Sequence, residues 1–207
     1  MVRIGILGGT FNPVHIGHLL AAQAVAEACA LERVVLLPCH TPPHKACGGL
    51  APAADRLAMV RLAAADNPAL EAGAQEVERG GLSYAVDTLR DFRRQRPDAE
   101  PVFIIGTDQL RELHQWHCVE ELLGLCAFAV VARPGEGPVG AAEIRLPAPW
   151  PERLLAATVR GRLCEVSSSE IRRRIAGGRA IRYLVPDAVA AYIARQGLYR
   201  RMEGAGN

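Results

Sequence analysis

The chain has 207 residues, enough for one domain with or without a small subdomain. Half of it is hydrophobic and 22% is charged, so a sizeable core is available and general disorder is excluded. The 24 Lys and Arg against 22 Asp and Glu leave a net charge of +2, too balanced for a nucleic-acid or anionic-membrane binder. The longest apolar stretch, Leu122 to Ala132, falls well short of the ~20 residues that span a bilayer. Met1 to Leu7 show no signal-peptide cleavage pattern. Six cysteines (29, 39, 47, 118, 126, 164) are scattered without a C-x-x-C pair, which points to a reducing cytoplasm and mostly buried thiols.

Val2 to Leu7 predicts a short buried strand, stopped at once by Gly8 and Gly9. The Ala- and Leu-rich run Leu19–Leu31 predicts a helix, and Val34–Leu37 a second strand ended by Pro38. Pro42 and Pro43 hold an extended loop through Gly48 and Gly49. Residues 53–66 predict an amphipathic helix with Leu57, Met59, Val60 and Leu62 near one side. Ser83–Gln95 predicts another, with Tyr84, Val86, Leu89 and Phe92 as its apolar positions. Pro101–Gly106 and Ala127–Val131 read as further buried strands. Residues 134–151 carry five prolines and predict a surface connection of variable conformation. A short strand is expected around Leu163–Val166, then a helix from about Ser169 and a last one from Pro186 to Arg195. Residues 204–207 are expected to fray.

Continuous apolar strands alternating with helices imply an α/β fold, a Rossmann-like α/β/α sandwich around a mostly parallel sheet. One domain is expected over residues 1–200. It comprises a core sheet in 1–133, the proline-rich connection 134–151 and a C-terminal segment 163–200. Ligands then belong at the C-terminal ends of the strands.

The first strand leads into Gly8-Gly9-Thr10-Phe11-Asn12-Pro13-Val14-His15-Ile16-Gly17-His18. Glycine lets backbone approach a ligand, and a helix N-terminus offers N–H donors and partial positive charge, so a phosphate chain suits this place. His15 and His18 can donate to phosphoryl oxygens as charge builds. Alone, an H-x-x-H pair is as well read as structural or as half a metal site. Behind a strand and a Gly-Gly turn, the phosphate reading is preferred, and Cys29 and Cys39 add no zinc spacing.

These residues resemble the signature of the HxGH nucleotidyltransferases, and within them the bacterial nicotinate mononucleotide adenylyltransferases. Also similar, in the family's order, are Pro42-Pro43-His44-Lys45, Ser83-Tyr84 with Asp87-Thr88, Phe103–Asp108, Trp116, Arg133-Pro134-Gly135 and Ser167–Arg172. Tyr183–Pro186 and Gly197–Tyr199 extend the likeness to nearly the whole chain. The resemblance implies transfer of the adenylyl group of ATP to nicotinate mononucleotide, giving the deamido dinucleotide and pyrophosphate, with Mg²⁺ brought by ATP. It implies no nucleic-acid or membrane partner; self-association is left open.

The resemblance also distributes roles. Gly8, Gly9, Thr10, Phe11, His15, His18, Gly106, Asp108, Ser167, Ser168, Ser169 and Arg172 fall on the ATP side. His15, His18, Lys45 and Arg172 would neutralise charge during transfer. His44, Lys45, Ser83, Tyr84, Thr88 and Trp116 fall on the mononucleotide side, with Trp116 stacked on the pyridine. Each has a plainer reading. Ser167 with Glu170 fits a capping box, and Asp108 can cap a helix beginning at Gln109. Trp116, spaced from Leu113 and Val119 as on a helix, and Tyr84 can be core. Lys45 can be solvated surface, as Arg173 and Arg174 are expected to be. Arg133 can serve nucleotide or structure, and Cys118 has no functional account. The competing readings are a sister enzyme acting on nicotinamide mononucleotide or making dephospho-coenzyme A, a class I aminoacyl-tRNA synthetase fragment sharing His15-Ile16-Gly17-His18, and a catalytically silent nucleotide-binding regulator.

Overall fold

In the computed structural model, residues 1–43, 49–132, 137–161 and 164–200 are described. Strands β1 (Val2–Gly9), β2 (Arg33–Pro38), β3 (Leu70–Ala72), β4 (Ala99–Gly106), β5 (Ala127–Val131) and β6 (Thr158–Val159) form one sheet, ordered β3-β2-β1-β4-β5-β6. Every pairing is parallel. The helices are α1 (Ile16–Ala28), α2 (Ala53–Ala64), α3 (Gln75–Arg79), α4 (Ala85–Gln95), α5 (Thr107–Glu112), α6 (Val119–Leu125), α7 (Trp150–Ala156), α8 (Ser168–Ala176) and α9 (Asp187–Gln196). Short 3₁₀ turns add Leu113–Gln115 and Ala141–Glu143.

Side chains alternate across the sheet, as strand geometry requires. Val102 and Ile104 of β4 join α1, α2, α8 and α9 in one core layer, whereas Phe103 and Ile105 join α4 to α7 in the other. The expected α/β/α sandwich is therefore present. Strand order reverses between β1 and β4, and in open α/β sheets ligands bind at such a point, beyond the C-terminal ends of the strands. Gly8 and Gly9 close β1 on that side and Gly106 closes β4, so three of the sequence-selected glycines share one mouth.

Several boundaries differ from expectation. β1 is not stopped by Gly8 and Gly9; both stay in register with Leu37 and Pro38, because glycine keeps its backbone hydrogen-bonding groups. α1 begins at Ile16 rather than Leu19 and ends at Ala28. β3 and α3, three and five residues long, are too short to carry a readable period. The strand expected at Leu163–Val166 is replaced by Thr158–Val159, so the sheet extends beyond residue 133. Cys164–Val166 are non-strand backbone, and Leu163 lies outside the described residues. The proline-rich stretch holds a 3₁₀ turn and the start of α7, with Pro151 in the first helical turn, where a missing N–H costs nothing. Cys39 and Cys126 are buried and Cys29 and Cys164 half-buried, but Cys118 is exposed. Cys47 and residues 204–207 fall outside the described residues. No helix among the described residues is long and apolar enough to cross a membrane.

Candidate active site

The loop from β1 into α1 carries the first half of the site. His15 is the N-cap of α1, only 7% exposed, and its ring stacks on that of His18 with centroids 3.7 Å apart and planes at 29°. Phe11 meets the other side of His18 edge-on at 4.9 Å. The His15 N–H donates to His18 Nδ1 at 3.2 Å, which leaves the His18 ring proton on Nε2. Gly17 leaves room for this stack: a Cβ there would lie 3.1 Å from two atoms of the His15 ring and press on it. The helix end offers fewer donors than the sequence suggested, since the Ile16 N–H is taken by the Leu184 carbonyl at 3.0 Å.

Helix α8 faces this loop and is bolted to it. Ser168 Oγ donates to the Pro13 carbonyl at 2.8 Å, and Arg172 Nη1 donates to the Asn12 carbonyl at 2.8 Å. Arg172 Nη2 reaches Ser169 Oγ at 3.2 Å. Ser167 caps the helix, accepting from the Glu170 N–H at 3.1 Å. The three serines are therefore not an interchangeable set of free hydroxyls. One caps, one docks the helix and one supports Arg172. Arg173 is exposed as expected, but Arg174 is held, its Nε donating to the Ala180 carbonyl at 2.8 Å.

Two residues that the sequence reading passed over organise the same region. Arg56, in the first turn of α2, is fully buried. Its guanidinium donates to the carbonyls of Ala51 (3.0 Å), Thr10 (2.9 Å), Cys39 (2.6 Å) and His40 (2.7 Å). It thus joins the end of β1, the end of β2 and the return of the loop that follows. A signal existed: Arg56, Met59, Val60, Ala63 and Ala64 are all buried at helical spacing, and a charge on such a stripe needs partners. Asn12, 7% exposed, is the second. Its Oδ1 accepts from the Ala51 N–H (3.0 Å) and the Tyr199 hydroxyl (2.8 Å), while Nδ2 donates to the Gly49 carbonyl (3.0 Å).

On the other core layer, Ser83 and Thr88 are buried and their hydroxyls face inward. Thr88 Oγ1 donates to Glu76 Oε1 and accepts from Arg79 Nη2 at 3.3 Å, and Ser83 Oγ accepts from the His40 N–H at 2.9 Å. Glu76 is 6% exposed, and burial raises its carboxyl above the ordinary range, against hydrogen bonds from Thr88 and Ser83 and the charge of Arg79. α4 begins at Ala85, with Tyr84 as its N-cap and the Tyr84 ring 4.5 Å from that of His117. Trp116 is not on a helix. It follows the 3₁₀ turn Leu113–Gln115, half-buried, its ring perpendicular to Phe103 at 6.1 Å. Asp108 is not an N-cap either; α5 starts at Thr107 with Gly106 as its cap, which places Asp108 in the first turn beside the positive helix end.

His15, His18, Ser168, Ser169 and Arg172 are thus brought together through Asn12 and Pro13, with Thr10 and Phe11 in the same loop. Ser83, Tyr84 and Thr88 form a separate group. His44, Lys45 and Arg133-Pro134-Gly135 lie outside the described residues.

A family model described as Cytidylyltransferase-like matches residues 6–174. A Symbiobacterium thermophilum protein named "Probable nicotinate-nucleotide adenylyltransferase" is 46% identical over 212 aligned residues, covering 100% of both chains. One of the same name from Thermomicrobium roseum is 44% identical over 98% of this chain and 94% of its own. Among solved structures, the Plasmodium falciparum nicotinic acid mononucleotide adenylyltransferase complexed with NaAD has the same fold. Its TM-score is 0.76 at 17% identity, over 96% of this chain and 98% of that one. On this evidence of sequence and architecture, the chain belongs to the cytidylyltransferase-like family and, within it, to the nicotinate-nucleotide adenylyltransferases.

Proposed function

We propose that the chain transfers the adenylyl group of ATP to nicotinate mononucleotide, forming nicotinate adenine dinucleotide and pyrophosphate, a step toward NAD in the cytoplasm. The observation that carries the mechanism is the docking of Arg172 and Ser168 of α8 onto the Asn12-Pro13 backbone, beside the His15–His18 pair. On this reading the Arg172 guanidinium and the His18 Nε2–H, both carried by the Asn12–His18 segment, act on the same phosphate chain. In this reading the mononucleotide's phosphate oxygen attacks the ATP α-phosphorus in line, forming one P–O bond as the bond to pyrophosphate breaks. The attacking oxygen is already anionic, so neither a protein nucleophile nor a strong general base is required.

The protein's part is alignment and charge neutralisation. Orienting two bound reactants supplies on the order of 7–11 kcal/mol of the barrier. His15, His18 and Arg172, with Lys45 from the neighbouring loop, stabilise charge on the transferring and leaving phosphates. Mg²⁺ comes as part of the substrate, bound to ATP oxygens and retaining most of its water. Gly8, Gly9, Thr10, Phe11, Gly106 and Asp108 line the nucleotide side of the site, with Asp108 toward ribose. Trp116 stacks on the pyridine, worth about 1 kcal/mol. His44, Ser83, Tyr84 and Thr88 complete the acceptor side, Ser83 and Thr88 through the position of their backbone, since their hydroxyls face Glu76 and His40.

The test is pyrophosphate release from MgATP with nicotinate mononucleotide, nicotinamide mononucleotide and phosphopantetheine in parallel. The acid mononucleotide is expected to be turned over fastest. Equal or amide-favoured rates overturn the acceptor assignment, and no release with any acceptor overturns the enzyme.

A further inference from the structure

Tyr199 lies three residues beyond the end of α9, at the far end of the described sequence from Asn12, yet its hydroxyl donates to Asn12 Oδ1 at 2.8 Å. Its route there is well anchored. α9 is fastened to α2 where the Tyr192 hydroxyl donates to Asp55 Oδ1 at 2.7 Å. The helix is then closed by Gly197 in the left-handed region (φ 63°), with the Leu198 N–H returning to the Ile193 carbonyl at 3.1 Å. Leu198 and Tyr199 pack against the core layer containing α1 and α2. Burial pushes the Tyr199 phenol above its ordinary value while Arg172, Arg56 and Asp55 act on it from around, so the hydroxyl remains a donor at working pH.

Two bulky residues are held in the left-handed region where this contact forms. Phe11, immediately before Asn12, has φ 45°, and Tyr199 itself has φ 63°. Side chains of that size rarely adopt such a backbone, and strain of this kind persists only where the surroundings over-determine it. Asn12 is the shared neighbour. Its carbonyl carries Arg172, and its amide carries the Gly49–Ala51 return of the loop that begins after β2.

We infer that Tyr199 is a positioning residue for adenylyl transfer: by fixing the Asn12 amide, it sets the β1–α1 loop at the height where Arg172 and the His15–His18 pair act on one phosphate chain. The inference rests on the phosphate reading of that loop. Removing the hydroxyl frees Asn12 Oδ1 from one of two donors, letting the loop and the Arg172 anchor shift together, without touching any substrate-contacting side chain.

The experiment is a double-mutant cycle of Tyr199→Phe and Arg172→Lys in the full chain, read by kcat, by KM for each substrate, and by calorimetric binding of MgATP. Y199F is expected to lower kcat/KM for ATP about tenfold and to weaken MgATP binding to a similar degree, with KM for the mononucleotide within about twofold. In the R172K background the same change should cost less than about twofold, because the arm it positions is already lost. Equal losses in both backgrounds overturn the inference. So does wild-type activity in folded Y199F that merely melts at a lower temperature. If the wild-type chain turns over no mononucleotide while Y199F still weakens MgATP binding, the acceptor reading fails and the role of Tyr199 stands; unchanged binding refutes that role.

Discussion

Two groups of arginines, one around the β1–α1 loop and one around α4, are partnered differently. On the α1/α2/α8 side, Arg56 donates to four backbone carbonyls, and Arg172 to a carbonyl and a serine hydroxyl. Those partners are neutral; Arg56 is fully buried among them and ties backbone together, and under the proposed reaction Arg172 is the one that meets phosphate. On the α4 side, arginines meet acids: Arg79 with Asp91 at 3.1 Å, Arg90 with Asp87 at 2.7 Å and with Glu121, and Arg94 with Asp91. Arg93 of α4 is the exception, its Nε donating to the Leu125 carbonyl at 2.9 Å. A guanidinium given carbonyl partners ties distant backbone segments together, whereas one given carboxylates pairs side chain with side chain at the surface.

This contrast can be broken most severely at Arg56. Arg56→Ala takes the donor from four carbonyls, those of buried Cys39 and Ala51 and of half-buried Thr10 and His40, and should lower stability by about 4 kcal/mol, near 10 °C in the thermal midpoint. A melt within about 2 °C of wild type would mean that the guanidinium is dispensable. Next comes His18→Ala, which under the proposed mechanism removes a donor to the reacting phosphates. Turnover should fall by roughly 10²–10³-fold with the circular-dichroism spectrum unchanged, and near-wild-type turnover would remove His18 from the mechanism.

The smallest effect sharpens the acceptor side. Burial raises the Glu76 carboxyl against the hydrogen bonds of Thr88 and Ser83 and the charge of Arg79, so its folded value lies above that of the unfolded chain. Its contribution to stability is then complete below the unfolded carboxylate range and lost as pH rises through the folded value. Glu76→Gln has no charge to acquire. It should exceed wild type in chemical-denaturation stability at pH 7 by on the order of 1 kcal/mol, the difference vanishing toward pH 4. A less stable variant at pH 7 would show that ionised Glu76 is a net stabiliser.

What the sequence made legible was whatever repeats or punctuates. The apolar runs of β2, β4 and β5 located the sheet, and the two histidines marked the start of α1. The Ser167–Glu170 spacing located the start of α8 to within a residue. Contacts between distant segments were not legible. Asn12 sits inside the motif, but nothing near it announces Tyr199, 187 residues away. Glu76 lies on a five-residue helix whose period cannot be read, so the inward turn of Ser83 and Thr88 had no local sign. Arg56 was the one miss with a warning: a charge on an otherwise apolar stripe.

The space beneath the His15 ring carries a further consequence. Gly17 sits in ordinary helical territory, where alanine would favour the helix by roughly 1 kcal/mol, yet a methyl there would press on the imidazole from 3.1 Å. The middle of His15-Ile16-Gly17-His18 is therefore a spacer for aromatic rings rather than a hinge. A sturdier first turn would come only with the His15 imidazole giving way by a few tenths of an ångström, so helix propensity and the ring stack pull this position in opposite directions.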